Sequence, residues 1–144
     1  FTSVPRSPAR GLQPLASLST AHRASGALAP DADDGEGRSP TAIILEPARD
    51  LCEQTHECVR AFSRYFDHPS LHAALFVGGV DASKQTRQLK DGVDIVSATP
   101  GRLWDLVSGS KLRLGGVQFL VLDEADRLLD TGNLETILKI HQKL

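Results

Sequence analysis

The sequence contains no methionine, one tryptophan, one tyrosine and two cysteines in 144 residues. Without an initiator methionine, it is expected to be a fragment or a processed piece of a longer protein. Cys52 and Cys58 lie six positions apart, a spacing that suits neither a zinc site nor a Cys-x-x-Cys redox pair. They read as free thiols of a reducing compartment. No apolar run approaches the roughly 20 residues of a membrane-spanning helix, so no membrane partner is expected. A dominant positive charge is also missing. The net charge is −2 and the pI about 6.2, so no global field marks a nucleic-acid binder. A local grip stays open, because backbone amides and a few arginines can hold phosphates on a neutral surface. No stretch forms a phosphate loop. Gly79 to Thr86 comes nearest, but Ser83 replaces the glycine before Lys84, and Gln85 replaces the magnesium-binding hydroxyl.

What is present supports one unit of ordinary domain size, with 40% hydrophobic and 24% charged residues. Residues 1 to 40 differ from the remainder. They hold five of the eight prolines, and no period of 3.6 or 2 residues persists, so this segment reads as a linker or disordered junction. Arg6, Arg10 and Arg23, with no acid before Asp31, resemble an organellar transit peptide only superficially, since the prolines and the lack of an amphipathic helix argue against one. Asp31 to Gly35 is a solvated acidic turn. As a calcium loop its glycine falls one place early, and Ala42 stands where the bidentate Glu belongs.

From Thr41 strands and helices alternate. Ala42 to Leu45 reads as a buried strand, and Arg49 to Phe66 as a helix with Leu51, Thr55, Val59, Phe62 and Phe66 on its inner face, ended by Asp67-His68-Pro69. Ala73 to Val77 is a second strand, Ala82 to Lys90 a short polar helix, and Asp94 to Ala98 a third strand. Pro100 to Val107 is a helix with proline near its start, Gln118 to Leu122 a fourth strand, and a helical stretch runs on to Leu144. Strands separated by helices predict crossover connections, hence an α/β fold with a doubly wound parallel sheet and helices on both faces.

Each strand end carries a group that a purely structural domain would not need. Phe119 to Leu122 runs without a polar break, as a strand buried on both faces would, and Asp123 and Glu124 follow at its carboxyl end. Such a pair can hold the magnesium of a nucleotide and orient or deprotonate a water; equally, an Asp there can cap the next helix. Arg49 stands at a helix start, where guanidinium and free amides can share one phosphate; alone, it is also an ordinary helix start with a solvated Arg. Gly78-Gly79 lets another backbone approach closely, or is a simple turn. Thr99-Pro100-Gly101-Arg102 combines a hydroxyl, a helix start, an unobstructed glycine and an Arg, which suits a phosphate grip or a capped helix.

In order and spacing, these stretches resemble the first RecA-like domain of DEAD-box RNA helicases over nearly all of residues 41–144. Pro47 to Leu51 resembles motif Ia, Gly78-Gly79 the GG doublet, Thr99 to Arg102 motif Ib, and Asp123-Glu124-Ala125-Asp126 motif II. The resemblance implies ATP and Mg²⁺ as cofactors. Asp123 would hold the metal through water, Glu124 would activate the hydrolytic water, and Asp126 would complete the nucleotide site and couple to motif III. Pro47, Arg49, Gly78, Gly79, Thr99, Pro100, Gly101 and Arg102 would contact the RNA backbone. It implies a second RecA-like domain of the same parent chain as partner, and residence in the nucleus, the cytoplasm or both.

The sequence departs from the family at Ala48, where threonine is usual, and at Asp50, where glutamate is usual. Ser97-Ala98-Thr99 spells motif III but precedes motif II, and reads as coincidence. Glu46 before Pro47 and Val80 after Gly79 resemble the DEAD-box helicase 1 branch, in which a SPRY domain separates motif I from motif Ia. The expected function is therefore a piece of an ATP-dependent RNA helicase, inactive alone. The rival is a truncated, non-catalytic RNA-binding or interaction module of the same fold.

Overall fold

The computed structural model describes residues 39–66, 70–130 and 132–144. The expected linker at residues 1–40 thus lies almost entirely outside the described residues, as does the Asp67-His68-Pro69 stop signal. Nine elements follow in order: β1 (Ala42–Leu45), α1 (Arg49–Ser63), β2 (Ala73–Phe76), α2 (Ala82–Lys90), β3 (Ile95–Ala98), α3 (Pro100–Ser108), β4 (Phe119–Leu122), α4 (Ala125–Asp130) and α5 (Leu134–His141). The four strands form one sheet in the order β2-β3-β1-β4, with every pairing parallel. This is the predicted α/β architecture.

The register decides which side chains share a face. Ile43 pairs with Val96 and Leu120, Val96 with Ala74, Leu45 with Ala98 and Leu122, and Ala98 with Phe76. Because strand side chains alternate, these residues line one face. There they meet Leu89, Leu103, Leu106, Leu128, Ile137 and Ile140 from helices α2 to α5, forming the core. The opposite face carries Ala42, Ile44, Ala73, Leu75, Ile95 and Ser97 and is covered by α1, which packs on β2 and β3. Helices therefore lie on both faces.

Three expectations need correction. Phe119 to Leu122 is not buried on both faces. Phe119 is 63% and Val121 47% exposed, because β4 is an edge strand and α1 covers the far side of the sheet. The apolar run reported the hydrophobicity of the strand but not which neighbours cover it. The inner face of α1 follows the predicted row only in part: Leu51, Thr55 and Val59 are half-buried beside the fully buried Cys52, whereas Phe62 and Phe66 are exposed. The helix ends at Ser63, and Tyr65 and Phe66 donate to Phe62 and Ser63 in tightened three-residue turns. Finally, the helical stretch after Ala125 is two helices. Gly132 adopts φ +75°, a conformation glycine takes freely, and α5 restarts at Leu134 behind Asn133.

Candidate functional site

In-register parallel strands end together. Leu45, Phe76, Ala98 and Leu122 form one row across the sheet, and the residues after each of them line a single rim. Backbone bonds extend this alignment one residue further: Glu46 N–H donates to Ala98, Thr99 N–H to Phe76, and Asp123 N–H to Leu45. Sites far apart in sequence (Pro47 to Arg49, Gly78-Gly79, Thr99 to Arg102, Asp123 to Asp126) thereby become neighbours, at the carboxyl edge where open α/β sheets hold ligands.

Between Glu46 and α1 the chain bends through the half-buried Pro47 and Ala48. Ala48 occupies the N-cap and offers no side-chain cap, the local consequence of alanine at this position. Arg49 is half-exposed, and its Nε donates to Glu53 at 2.7 Å, one turn on. Its Nη1 lies 3.4 Å from where a Cβ on Gly79 would stand, so the first two predicted phosphate contacts touch. Gly79 has φ +76°, a conformation that would strain any other residue.

Gly78 and Gly101 are different. A Cβ on either would meet nothing within 4 Å, so packing within the described chain gives no reason for glycine at these two positions. Both open onto the rim, as a surface approached closely by another molecule would. Thr99 adopts an extended N-cap conformation, yet its hydroxyl makes no cap bond and stays available. Pro100 is buried in the first turn of α3, so it shapes the turn and does not reach outward. Arg102 is half-buried, with Nε donating to Gln85 Oε1 at 2.7 Å and a buried Nη2 that finds no acceptor among the described residues.

At the end of β4, the exposed Asp123 accepts the Glu124 amide at 2.9 Å through Oδ1, which leaves its other lone pairs open. It caps that tight turn and not α4, whose residue Leu128 donates to the Glu124 carbonyl. Glu124 has φ +46°, an uncommon conformation for a residue with a side chain, of the kind that collects at functional sites. Its Oε2 accepts from Arg127 Nη1 at 2.8 Å in an exposed pair, which is weakly held. Asp126, in the first turn of α4, is exposed. No group of three His, Cys, Asp or Glu side chains able to hold a metal occurs among the described residues. The donor set at Asp123 and Glu124 fits a hard cation that brings most of its ligands as water and phosphate, as Mg²⁺ does.

Sequence reasoning missed two buried polar residues. Glu46 is 1% exposed; its Oε1 accepts the Thr55 hydroxyl at 2.5 Å, and its Oε2 has no hydrogen-bond partner among the described residues. It pins the second turn of α1 to the end of β1 and so sets the Arg49 turn. Gln85, 3% exposed, lies between α2 and the rim. The signal for both was a polar residue inside an otherwise inward-facing position, which one sequence does not distinguish from a solvated one. Burial, followed by the Glu46 carboxylate alongside, pushes the Cys52 thiol up to about 12, whereas Cys58 is exposed. At pH 8 a maleimide is therefore expected to label Cys58 within minutes and Cys52 only after denaturation, counted by mass spectrometry. Equal labelling of both thiols in the native chain would contradict the burial of Cys52. The sign for stability follows. The folded thiol keeps a proton that the unfolded one loses, so the Cys52 contribution is complete below the ordinary value of 9.0 and is lost as pH rises toward about 12.

The model of the DEAD/DEAH box helicase family matches residues 17–144. The chain is 49% identical over 106 residues to the ATP-dependent RNA helicase DDX1 of Xenopus laevis, an alignment covering 74% of this chain and 14% of that protein. It is 40% identical to ATP-dependent RNA helicase Ddx1 of Drosophila melanogaster, over 74% of this chain and 15% of that one. The crystal structure of the yeast DEAD-box splicing factor Prp28 superposes with a TM-score of 0.68 at 34% identity, covering 72% of this chain and 24% of Prp28. The chain thus spans about one seventh of the length of these two curated relatives.

Proposed function

The chain belongs to the DEAD/DEAH box helicase family, and from that premise we propose that it forms part of the first RecA-like domain of an ATP-dependent RNA helicase. The observation that carries this reading is the shared rim. Four strand ends in register bring an acidic pair beside a row of Arg, hydroxyl and glycine, with Gly78 and Gly101 open to an approaching backbone. A carboxylate end and a phosphate-binding end on one rim suit an enzyme that couples a nucleotide to a nucleic acid.

At the acidic end, Asp123 has the free lone pairs to accept hydrogen bonds from water bound to magnesium. Glu124 is placed by its left-handed turn to orient and deprotonate a water once Arg127 releases it. Mg²⁺, when bound with ATP, would neutralise charge on the phosphate oxygens. Asp126 stands one turn on, where it would link the nucleotide site to the segment that follows. At the other end, Arg49 and Arg102 supply charge, Thr99 a hydroxyl, and Gly78, Gly79 and Gly101 backbone access, with Pro47 and Pro100 setting the turns. None of these groups reads a base edge, so binding would be independent of RNA sequence. A second RecA-like domain of the parent would close over this rim in the ATP-bound state and open after hydrolysis. The two free thiols support a reducing setting, the nucleus or the cytoplasm.

Arg49→Ala and Arg102→Ala are each expected to weaken binding of single-stranded RNA about equally for unrelated sequences. Each should reduce the slope of log affinity against log salt by about 0.7, one phosphate contact on a single strand. Fluorescence anisotropy with labelled oligonucleotides of different composition measures both quantities. A loss confined to one base sequence would make the arginine a base reader and overturn this assignment.

A further inference from the structure

A buried amide lies between two of the rim segments. Gln85, in α2, donates from Nε2 to the Val77 carbonyl at 3.0 Å and accepts at Oε1 from Arg102 Nε at 2.7 Å. It is 3% exposed, and both ends of its side chain are used. Glutamate could not donate to the carbonyl, and asparagine would be one carbon short of the same span. Val77 immediately precedes Gly78-Gly79, and Arg102 immediately follows Gly101. One side chain therefore ties the glycine turn to the arginine in the first turn of α3.

The same contact sets the state of Arg102. A guanidinium is planar, so a bond at Nε fixes the plane in which its other N–H groups point. Nη2 is buried with no acceptor among the described residues, so the orientation there rests on Gln85. Asp81, at the N-cap of α2, lies within range of the same arginine's charge. Its carboxylate is held below the usual range by its bonds to Ser83 and, less strongly, by the charge of Arg102. The hydroxyl and backbone N–H of Ser83 both donate to Asp81 Oδ1 at 2.8 Å, which ties this carboxylate to its own turn, whereas the Arg102 Nε bond goes to Gln85.

We propose that Gln85 is a positioning residue of the RNA face, holding Arg102 and the Gly78-Gly79 turn as one preset unit that meets consecutive phosphates without reorganising. The inference rests on the RNA-binding reading of the rim. Its physical basis is preorganisation: a long, charged side chain fixed before binding has less freedom to lose when a phosphate arrives. Gln85 itself touches no RNA.

The test is a double-mutant cycle on the 144-residue chain, read as RNA affinity by anisotropy with a labelled single-stranded oligouridylate at low salt. Gln85→Met keeps the length and apolar stem and removes both polar contacts. It is expected to weaken binding roughly ten-fold alone, and less than about two-fold in the Arg102→Ala background, since groups acting as one unit are not additive. Thermal unfolding is recorded for every variant, because a merely structural glutamine would lower stability by the same amount in both backgrounds and weaken RNA binding additively. Equal losses of affinity in both backgrounds overturn the proposal. If Gln85→Met does not fold, Gln85→Glu decides. It retains the acceptor for Arg102 but loses the donor to Val77, so it is expected to weaken binding alone and clearly less in the Arg102→Ala background, and equal losses in both backgrounds overturn the proposal. Absence of RNA binding by the unaltered chain would remove the RNA-face reading and this inference with it, whereas binding with additive losses removes the inference alone.

Discussion

Glu124→Gln, in a longer protein that adds a phosphate loop to this domain, is expected to lower ATP turnover by about 10²–10⁴ while leaving ATP affinity near its starting value. The change keeps the size of the side chain and an oxygen able to accept from Arg127, so the turn at φ +46° and the 2.8 Å contact both survive. What is lost is the carboxylate that can take a proton from water. Asp123 does not replace it, because its Oδ1 already holds the Glu124 amide at 2.9 Å and its position suits a metal-bound water. Steady-state phosphate release and equilibrium nucleotide binding, measured on the same variant, separate the two effects. Near-normal turnover would remove Glu124 from the catalytic role. A parallel loss of binding would mean that the substitution collapsed the turn.

The second large effect concerns the 144-residue chain itself, which is expected to show no RNA-stimulated ATP hydrolysis. The carboxylates stand exposed at the end of an edge strand, and β4 presents Phe119 and Val121 to solvent. No lysine and amide cradle of the G-x-x-x-x-G-K-[ST] type is present to grip β- and γ-phosphates. A magnesium ion held through one or two carboxylates takes most of its remaining ligands from phosphate and water, so the acidic pair alone does not retain the nucleotide. Phosphate release by the purified chain, with and without RNA, is the measurement. Turnover that rises with RNA would show that this rim is catalytically sufficient. RNA binding without turnover is the expected result, and the same rim then acts as an RNA-binding surface until a phosphate loop joins it.

Local chemistry made much of this legible. Short apolar runs bounded by Gly, Pro and charged residues marked all four strands within one residue, because a buried parallel strand needs little more than continuous hydrophobicity. Proline at the start of α3 and Gly78-Gly79 after β2 marked a helix start and a turn, because their backbone preferences are intrinsic. The family was likewise readable from the order of motifs along the chain, and the match of the family model bears the family out.

Burial was not readable in the same way. The run Phe119 to Leu122 predicted two covered faces, and the row Leu51 to Phe66 predicted one inward helix face. The first failed, and the second failed at Phe62 and Phe66, because exposure depends on which other elements pack alongside. The buried Glu46 and Gln85 escaped notice for the same reason: nothing local separates a polar side chain that bridges two elements from one that faces water.

The sequence by itself therefore determined the alternation of strands and helices, the identity of the groups at each strand end, and the family. The tertiary structure alone decided that β3 lies between β1 and β2, that the four strand ends fall in one row, and that Gln85 reaches both Val77 and Arg102. The physical reason is range. Propensity, turn geometry and hydrophobic period act over a few neighbouring residues, whereas strand order and side-chain partnership arise from contacts between segments tens of residues apart, where burial selects one arrangement.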